Sequence, residues 1–353
     1  MRNHVRAFVI DRYRSKAGVR AAEMPDPEVG DDDVVVEVRA AGVNPLDSKI
    51  GDGEFRLFLP YRFPLILGND LAGVVLRVGS AVTRFEVGDE VYGRPDAHRI
   101  GAFAELIAVD EADLAAKPSS LTMEEAASFP LVGLTAWQAL VERAALAEGQ
   151  KVLIHAGSGG VGTIAIQLAK QLGATVATTV STANVELVKS LGADVVVDYT
   201  SEDFESVLSD YDVVLDPLGP KNVEKSLSVL RPGGIVIGIG GPPDPAFADE
   251  VDGNAVLRLA TRFLSLRVRR KARRLGVRYS FLFMRADGDQ LRELTPMLDS
   301  GAIRPVVDRV FPFGSTSEAL AYVDRGRAVG KVVVAMTETE NPTQPPHHRR
   351  AQS

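Results

Sequence analysis

Through the first third of the chain the apolar positions come in short, β-rich runs closed by turn residues. Val34–Arg39 follows an acidic turn. Gly73–Val78 and Asp89–Tyr92 are further strands, set off by Gly79-Ser80 and Gly88, and 101–109 reads as one more. Short strands with glycine punctuation predict a small, mostly β, barrel-like unit. The pattern changes near Ser119, where Leu121–Phe129 and Thr135–Leu146 read as helices. From Lys151 to about Met284 apolar strands alternate with helical segments: Lys151–His155, Thr175–Thr179, Asp194–Asp198, Asp212–Asp216, Ile235–Ile239 and Arg278–Phe283. Apolar strands separated by helices predict an α/β unit with a parallel sheet buried on both faces. Beyond Arg285 come a helix (Gln290–Leu298), strand material at Pro305–Phe311, a helix near Ser317–Val323 and a last strand from Lys331 to Val334. The reading divides the chain into a β-rich first part (1–125), an inserted α/β part (126–285), a return to the first part (286–336) and a polar, disordered tail (337–353).

Composition narrows the classes. At 353 residues the chain is long enough for two domains, and its 45% hydrophobic and 25% charged residues are a globular balance. A net charge of −7 gives no global reason to expect nucleic acid or an anionic surface as partner. With no cysteine, disulfides and thiolate metal sites are excluded. The start lacks a charged segment leading into an apolar run, so no signal peptide is expected. No apolar stretch reaches the length of a membrane span. These absences together predict a cytoplasmic protein.

The chemistry-bearing signal is the run after the first α/β strand. Val152–Ala156 leads into Gly157, Ser158, Gly159, Gly160, Val161 and Gly162, then into a helix whose Val161, Ile164, Ala165, Leu168, Ala169 and Leu172 share one face. Gly157, Gly159 and Gly162 satisfy the dinucleotide spacing, which needs a tight turn, close approach of pyrophosphate and close helix–sheet packing. Free amides at the helix start then attract phosphate. The second strand carries no Asp or Glu at its end, where a ribose-binding acid would stand. Ser181, Thr182 and Asn184 there are donors suited to a 2′-phosphate, so the reading favours NADPH over NADH. As ordinary polar loop residues they would carry no such meaning.

At this point the chain resembles the medium-chain reductase family, in its zinc-free quinone oxidoreductase branch. The resemblance runs through AAGVNPLD (40–47), PLILGNDLAGVV (64–75), VGDEVYG (87–93), GAFAEL (101–106), AASFPLVGLTAWQAL (126–140), HAGSGGVG (155–162), LGADVVVDY (191–199) and GKVVV (330–334). The stretch from Tyr279 onward also resembles alkenal reductases and mitochondrial reticulon-interacting oxidoreductases. It implies a GroES-like catalytic domain with an inserted Rossmann domain and catalysis in the cleft between them. It implies cofactor contacts from Ser158, Gly160 and Val161, with Ser181 and Tyr199 toward the 2′-phosphate. Phe283 would lie near the nicotinamide, and Arg327 and Ala328 would close over the cofactor. Members often carry Lys at the position of Asn184, so the resemblance implies either a weaker grip on the 2′-phosphate or compensation by groups such as Arg327. Zinc-dependent members use Cys at the position of Asn44 and His-Glu at Asn69-Asp70. None of those ligands is kept, and the five histidines offer no set of three at useful spacing, so no catalytic metal is expected. A homodimer along the edge of the Rossmann sheet is a further implication.

Without a metal, the acceptor must activate itself. A carbonyl conjugated to C=C does so, since hydride adds to the β-carbon and the enolate oxygen needs only hydrogen-bond donors; a quinone obeys the same logic. Asn44 is the candidate polarising donor, or a turn residue before Pro45, and both can hold. Lys49 is a candidate enolate stabiliser or proton source, or a plain surface lysine. Thr135 is expected near the nicotinamide, or as a helix hydroxyl bonding its own backbone. Asp216 and Gly219 should border the cleft, and Phe55, Phe58 and Tyr61 could line the pocket or serve the core. The basic run Arg267–Arg274 reads as a solvated helix face, with a phosphate-bearing substrate as the alternative. Two other functions stay open: reduction of enoyl thioesters in lipid or polyketide metabolism, and a non-catalytic, crystallin-like NADPH-binding role.

Overall fold

The computed structural model describes residues 4–15 and 18–336. The proposed tail, 337–353, lies outside the described residues. Eight strands precede Met123: β1 (His4–Ile10), β2 (Arg20–Pro25), β3 (Asp33–Val43), β4 (Leu65–Ile66), β5 (Asp70–Val78), β6 (Glu90–Gly93), β7 (Leu106–Asp110) and β8 (Leu114–Ala116). The sequence reading predicts nothing before Val34, yet β1 and β2 form an antiparallel pair there. The strand β2, RAAEMP, has neither β-branched nor aromatic residues to mark it and stays largely exposed.

Six further strands build one parallel sheet: β9 (Lys151–Ile154), β10 (Thr175–Val180), β11 (Val195–Asp198), β12 (Tyr211–Asp216), β13 (Leu230–Gly238) and β14 (Arg278–Phe281). Their spatial order is β11-β10-β9-β12-β13-β14, which reverses direction beside β9 as in a doubly wound fold. Val152, Leu153 and Ile154 of β9 are fully buried, as a central parallel strand requires. Helix 160–171 is buried nearly all round rather than on the one face that its periodicity predicts. The added cover is the C-terminal segment: Gln167 donates to the Arg304 carbonyl (3.0 Å) and accepts from its amide (2.9 Å).

The last two strands, β15 (Val307–Pro312) and β16 (Lys331–Ala335), are parallel to each other, and β16 pairs antiparallel with β3, Val332 opposite Val43. That register sets the first residue of β16, Lys331, beside the end of β3, where Asn44 begins the Pro45–Gly51 helix. The helix expected over 135–146 differs. It runs Pro130–Trp137 and continues as a π-helical turn, Gln138–Arg143. Proline suits a first helical position, where no amide is needed. The Asp70 carboxylate accepts the next free amide, that of Leu131, at 2.7 Å.

Candidate active site

The glycine loop leaves β9 through His155 and Ala156 and enters the helix Gly160–Gln171. A Cβ at Gly157 would stand 2.0 Å from Thr178 Oγ1, and one at Gly162 2.3 Å from the Ala156 carbonyl, so both positions require glycine's missing side chain. A Cβ on Gly160 would meet Lys331 Cδ at 2.9 Å, so the lysine stem lies on the loop. Gly330 donates its amide to the Ser158 carbonyl (2.8 Å), joining the C-terminal segment to the loop. The helix's first amides have no partner within the helix, the feature that lets a helix start take an anion. At the end of β10, Asn184 Nδ2 donates to Ser158 Oγ (3.0 Å) and Ser181 Oγ (3.3 Å), gathering three of the predicted residues. The Asp198 carboxylate at this rim is occupied by the hydroxyls of Thr182 and Thr200. Under the loop, His155 is flanked by Thr179 and Ser226, and burial drops its pKa to about 3, so it is a neutral strut. Asp216, raised by burial, accepts from Ser226, Asn222 and Leu218; it braces the sheet from below and does not line the cleft.

Across the cleft lies a buried polar cluster. Lys331 Nζ donates to Asn44 Oδ1, to Asp70 Oδ2 (3.1 Å) and to the Val43 carbonyl (3.2 Å), which uses all three of its N–H bonds. Asn44 Nδ2 donates to Asp70 Oδ2 at 2.9 Å and weakly to the Gly42 carbonyl. The Asn44 amide donates to Asp47 Oδ2 (2.7 Å), and Asn69 Nδ2 to Asp47 Oδ1 (2.7 Å). Asp47 is wholly buried, and burial pushes its pKa up to about 7 against the pull of those donors. Arg94, equally buried, is drawn below the usual guanidinium range by burial. Asn44 is thus the residue before Pro45 that opens its helix, and its side chain is committed inside the protein. Asn44, Asn69 and Asp70, the positions that the resemblance sets against zinc ligands, are an amide, a second amide and a carboxylate, and the Lys331 ammonium bonds the first and the last. This donor set does not fit a zinc ion, which wants neutral imidazole, thiolate or carboxylate around one positive centre. Among the described residues no group of three His, Cys, Asp or Glu side chains is arranged to hold a metal.

Between loop and cluster opens a cleft of about 580 Å³. Its wall includes Asn44, Lys49, Thr135, Gly159, Gly160, Val161, Gly162, Phe283 and Ala328 from the sequence reading. Five phenylalanines, 55, 58, 247, 281 and 283, form one edge-to-face chain with centroids 5.2–5.8 Å apart and line the same cleft. Lys49 is exposed at the wall, and its amine makes no hydrogen bond or ion pair among the described residues. Thr135 donates its hydroxyl to the Leu131 carbonyl (2.7 Å), the helix-interior bond, so it can only accept from a ligand. Ser158, Ser181, Asn184, Tyr199 and Arg327 lie outside this lining, as does Gly157; Tyr199 and Arg327 are exposed. Tyr61 bonds the Ala97 carbonyl and does not line the cleft. Lys331, Asp47 and Phe247 were missed by sequence reasoning. A lone lysine opening the apolar strand KVVVA signals a buried charge in need of a partner, and that signal could have found the first.

Two mostly antiparallel sheets joined to a doubly wound parallel sheet, with a glycine loop beside an apolar cleft, are the architecture of a nucleotide-dependent reductase. The chain belongs to the medium-chain dehydrogenase/reductase family, in its quinone oxidoreductase branch. Residues 30–119 match the alcohol dehydrogenase GroES-like domain family, and 191–334 match a zinc-binding dehydrogenase family. The chain is 37% identical over 318 residues to the chloroplastic NADPH-dependent alkenal/one oxidoreductase of Arabidopsis thaliana, covering 87% of this chain and 73% of that one. It is 35% identical over 362 residues to the mitochondrial NAD(P)H oxidoreductase RTN4IP1 of Danio rerio, covering 95% and 92%. The solved quinone oxidoreductase of Coxiella burnetii aligns over 95% of this chain and 100% of that one, with a TM-score of 0.82 and 29% identity. Among the described residues no helix is long and apolar enough to cross a membrane.

Proposed function

We propose that this chain is an NADPH-dependent, zinc-free reductase of α,β-unsaturated carbonyl compounds and quinones. The observation that carries the reading is that the glycine loop and the phenylalanine wall open into one cleft with a partner-free lysine amine between them. The Ser158–Ser181–Asn184 group would hold the 2′-phosphate, with Tyr199 and Arg327 beside it, and Gly157–Gly162 the pyrophosphate. Thr135, Phe283 and Ala328 would flank the nicotinamide. NADPH, when bound, supplies the hydride.

The remaining work falls to the protein. The phenylalanines exclude water and hold a flat apolar acceptor against the loop. Hydride arrives at the β-carbon, and the C=C electron pair moves toward the carbonyl oxygen. Lys49 donates a hydrogen bond to the oxyanion that forms, and a proton from solvent then completes reduction at the α-carbon. Asn44 acts through the cluster it shares with Lys331 and Asp70, shaping the wall from which Lys49 reaches. The buried ammonium of Lys331 fills the place where other members seat a metal, which is why we read this chain as working without one.

The same reading assigns 1–125 and 286–336 to the catalytic half and 126–285 to the nucleotide half. It pairs two chains along β14, an outer strand of the parallel sheet, and sets the protein at work in the cytoplasm. NADPH oxidation with a panel of enals, enones, quinones and enoyl thioesters tests it. We expect turnover with the conjugated acceptors, and a drop in kcat of about tenfold to a hundredfold in Lys49→Ala with the KM for NADPH unchanged. Tight NADPH binding with no turnover on any acceptor would overturn the enzymatic reading.

A further inference from the structure

Between β13 and β14 the chain makes two helices, Ala255–Leu264 and Leu266–Leu275. They read as one rod, because the ladder carries across Ser265: its amide bonds the Thr261 carbonyl (3.1 Å), and the Arg269 amide bonds the Ser265 carbonyl (2.9 Å). Thr261, Ser265, Val268 and Ala272 form the buried seam at helical spacing. The opposite stripe, at steps of three and four, is Val256, Leu259, Phe263, Arg267, Arg270 and Arg274. Its first half is apolar and open to solvent, with Val256 74%, Leu259 56% and Phe263 68% exposed, and Leu264 beside them 60% exposed. Its second half is cationic. From Gly253 to Ala286 there are ten Arg and Lys and no Asp or Glu, in a chain whose net charge is −7.

Some of these charges are used internally: Arg258 pairs with Asp249, Arg267 with Glu224 and Arg285 with Glu142 and Asp287. Arg262, Arg270 and Arg274 make no ion pair among the described residues and point to solvent. An apolar patch followed along the same stripe by unneutralised arginines needs a partner that offers hydrocarbon and phosphate side by side.

We propose that this rod docks the protein on an anionic lipid surface. Val256, Leu259, Phe263 and Leu264 enter the boundary between headgroups and acyl chains, while Arg262, Arg270 and Arg274 meet lipid phosphates. A second copy fits less well. Antiparallel pairing along the full stripe lays the arginine half of one rod across the apolar half of the other, and parallel pairing opposes arginine to arginine. A nucleic acid would use the arginines but leaves the four apolar side chains in water. The Pro245–Glu250 helix packs against the rod, and its Phe247 belongs to the cleft wall. The rod thus abuts an element of the cleft wall, and we take this as the side from which an acceptor dissolved in the lipid enters. That consequence rests on the proposed reductase activity; the docking does not.

The test is vesicle flotation of the full chain. We expect it to float with phosphatidylcholine vesicles containing one part in three of phosphatidylglycerol, with bound fraction falling as salt rises, and not with phosphatidylcholine alone. The variant Leu259→Ser/Phe263→Ser and the variant Arg270→Glu/Arg274→Glu should each bind about tenfold less or weaker still. Both should keep wild-type NADPH turnover on a water-soluble acceptor, which shows that they fold. Absence of flotation with the anionic vesicles overturns the proposal. So does wild-type flotation of the serine variant, which would reduce the effect to charge alone. Light scattering that shows a wild-type oligomer dissociating in the serine variant, with no vesicle binding, would assign the stripe to a second copy instead.

Discussion

Replacing Lys331 by Met keeps the stem that lies on Gly160 and removes only the ammonium. Lys331 is 5% exposed and Asp70 not at all, so water cannot take over the missing donor. Breaking a buried pair from one side leaves an uncompensated charge and costs about 3–5 kcal/mol. Here Asp70 keeps two donors, Asn44 Nδ2 at 2.9 Å and the Leu131 amide at 2.7 Å, which places the cost at the lower end, about 3 kcal/mol. Asn44 loses its partner at Oδ1 as well and is freed to turn. At about 2.1 cal/mol/K of unfolding entropy per residue, a chain of 353 residues loses roughly 4 °C of thermal midpoint for that cost. The assay is a double-mutant cycle of Lys331→Met with Asp70→Asn, followed by chemical denaturation. The two changes should couple by more than about 1 kcal/mol, because the second removes the charge that the first strands. Lys331→Arg should regain part of the stability through its donors, though its planar fork matches the three-acceptor pocket poorly. If the two single changes add independently, or if Lys331→Met costs under about 1 kcal/mol, the cluster is not holding the two halves of the cleft together.

Three further outcomes follow from the same geometry. The Asp47 pKa is raised by burial, so the fold favours its protonated form; that contribution is complete below the usual aspartate value and is lost as pH rises through about 7. Asp47→Asn should therefore flatten the fall of the thermal midpoint between about pH 4 and pH 7, and an unchanged slope would point to another group. Gly157→Ala sets a methyl 2.0 Å from Thr178 Oγ1, and titration should show NADPH affinity down by at least about tenfold, with Thr178→Ala in the same chain restoring part of it. Ser181→Asp adds an acid where the 2′-phosphate would sit. The ratio of kcat/KM for NADPH to that for NADH should fall by at least about tenfold, and a ratio that does not move would place the phosphate elsewhere.

The parts of this molecule legible in its sequence are those whose physics is local. Parallel strands buried on both faces announce themselves as apolar runs, and the glycine loop is a matter of spacing between one strand and one helix. The six strands of the parallel sheet accordingly fall within a few residues of their expected places. What the sequence hides is long-range. Nothing in RAAEMP marks β2 as a strand, because its conformation comes from pairing with β1. The surroundings of Asn44 come from Asp70, 26 positions on, and from Lys331, 287 positions on. Read alone, Asn44 is a polarising amide or the turn residue before Pro45, or both. Set between those two charges, it spends Oδ1 on one and Nδ2 on the other.

The same comparison shows how the buried charge of Asp70 is compensated from within the chain. Removing ligands one at a time from a buried ion site leaves carboxylate charge without compensation, at a cost of several kcal/mol per step. The lysine at the start of β16, brought there by the β3–β16 register, supplies the positive charge with donors aimed at Asn44 and Asp70. Asp70 then keeps a counter-charge, the Leu131 amide keeps its acceptor, and the Pro130–Trp137 helix stays docked over the cleft. What changes is the chemistry on offer. An ammonium whose three N–H bonds are all spent cannot polarise a carbonyl as a Lewis acid does, so a simple ketone finds no activation there. An acceptor whose own conjugation carries the charge to its oxygen does not need it.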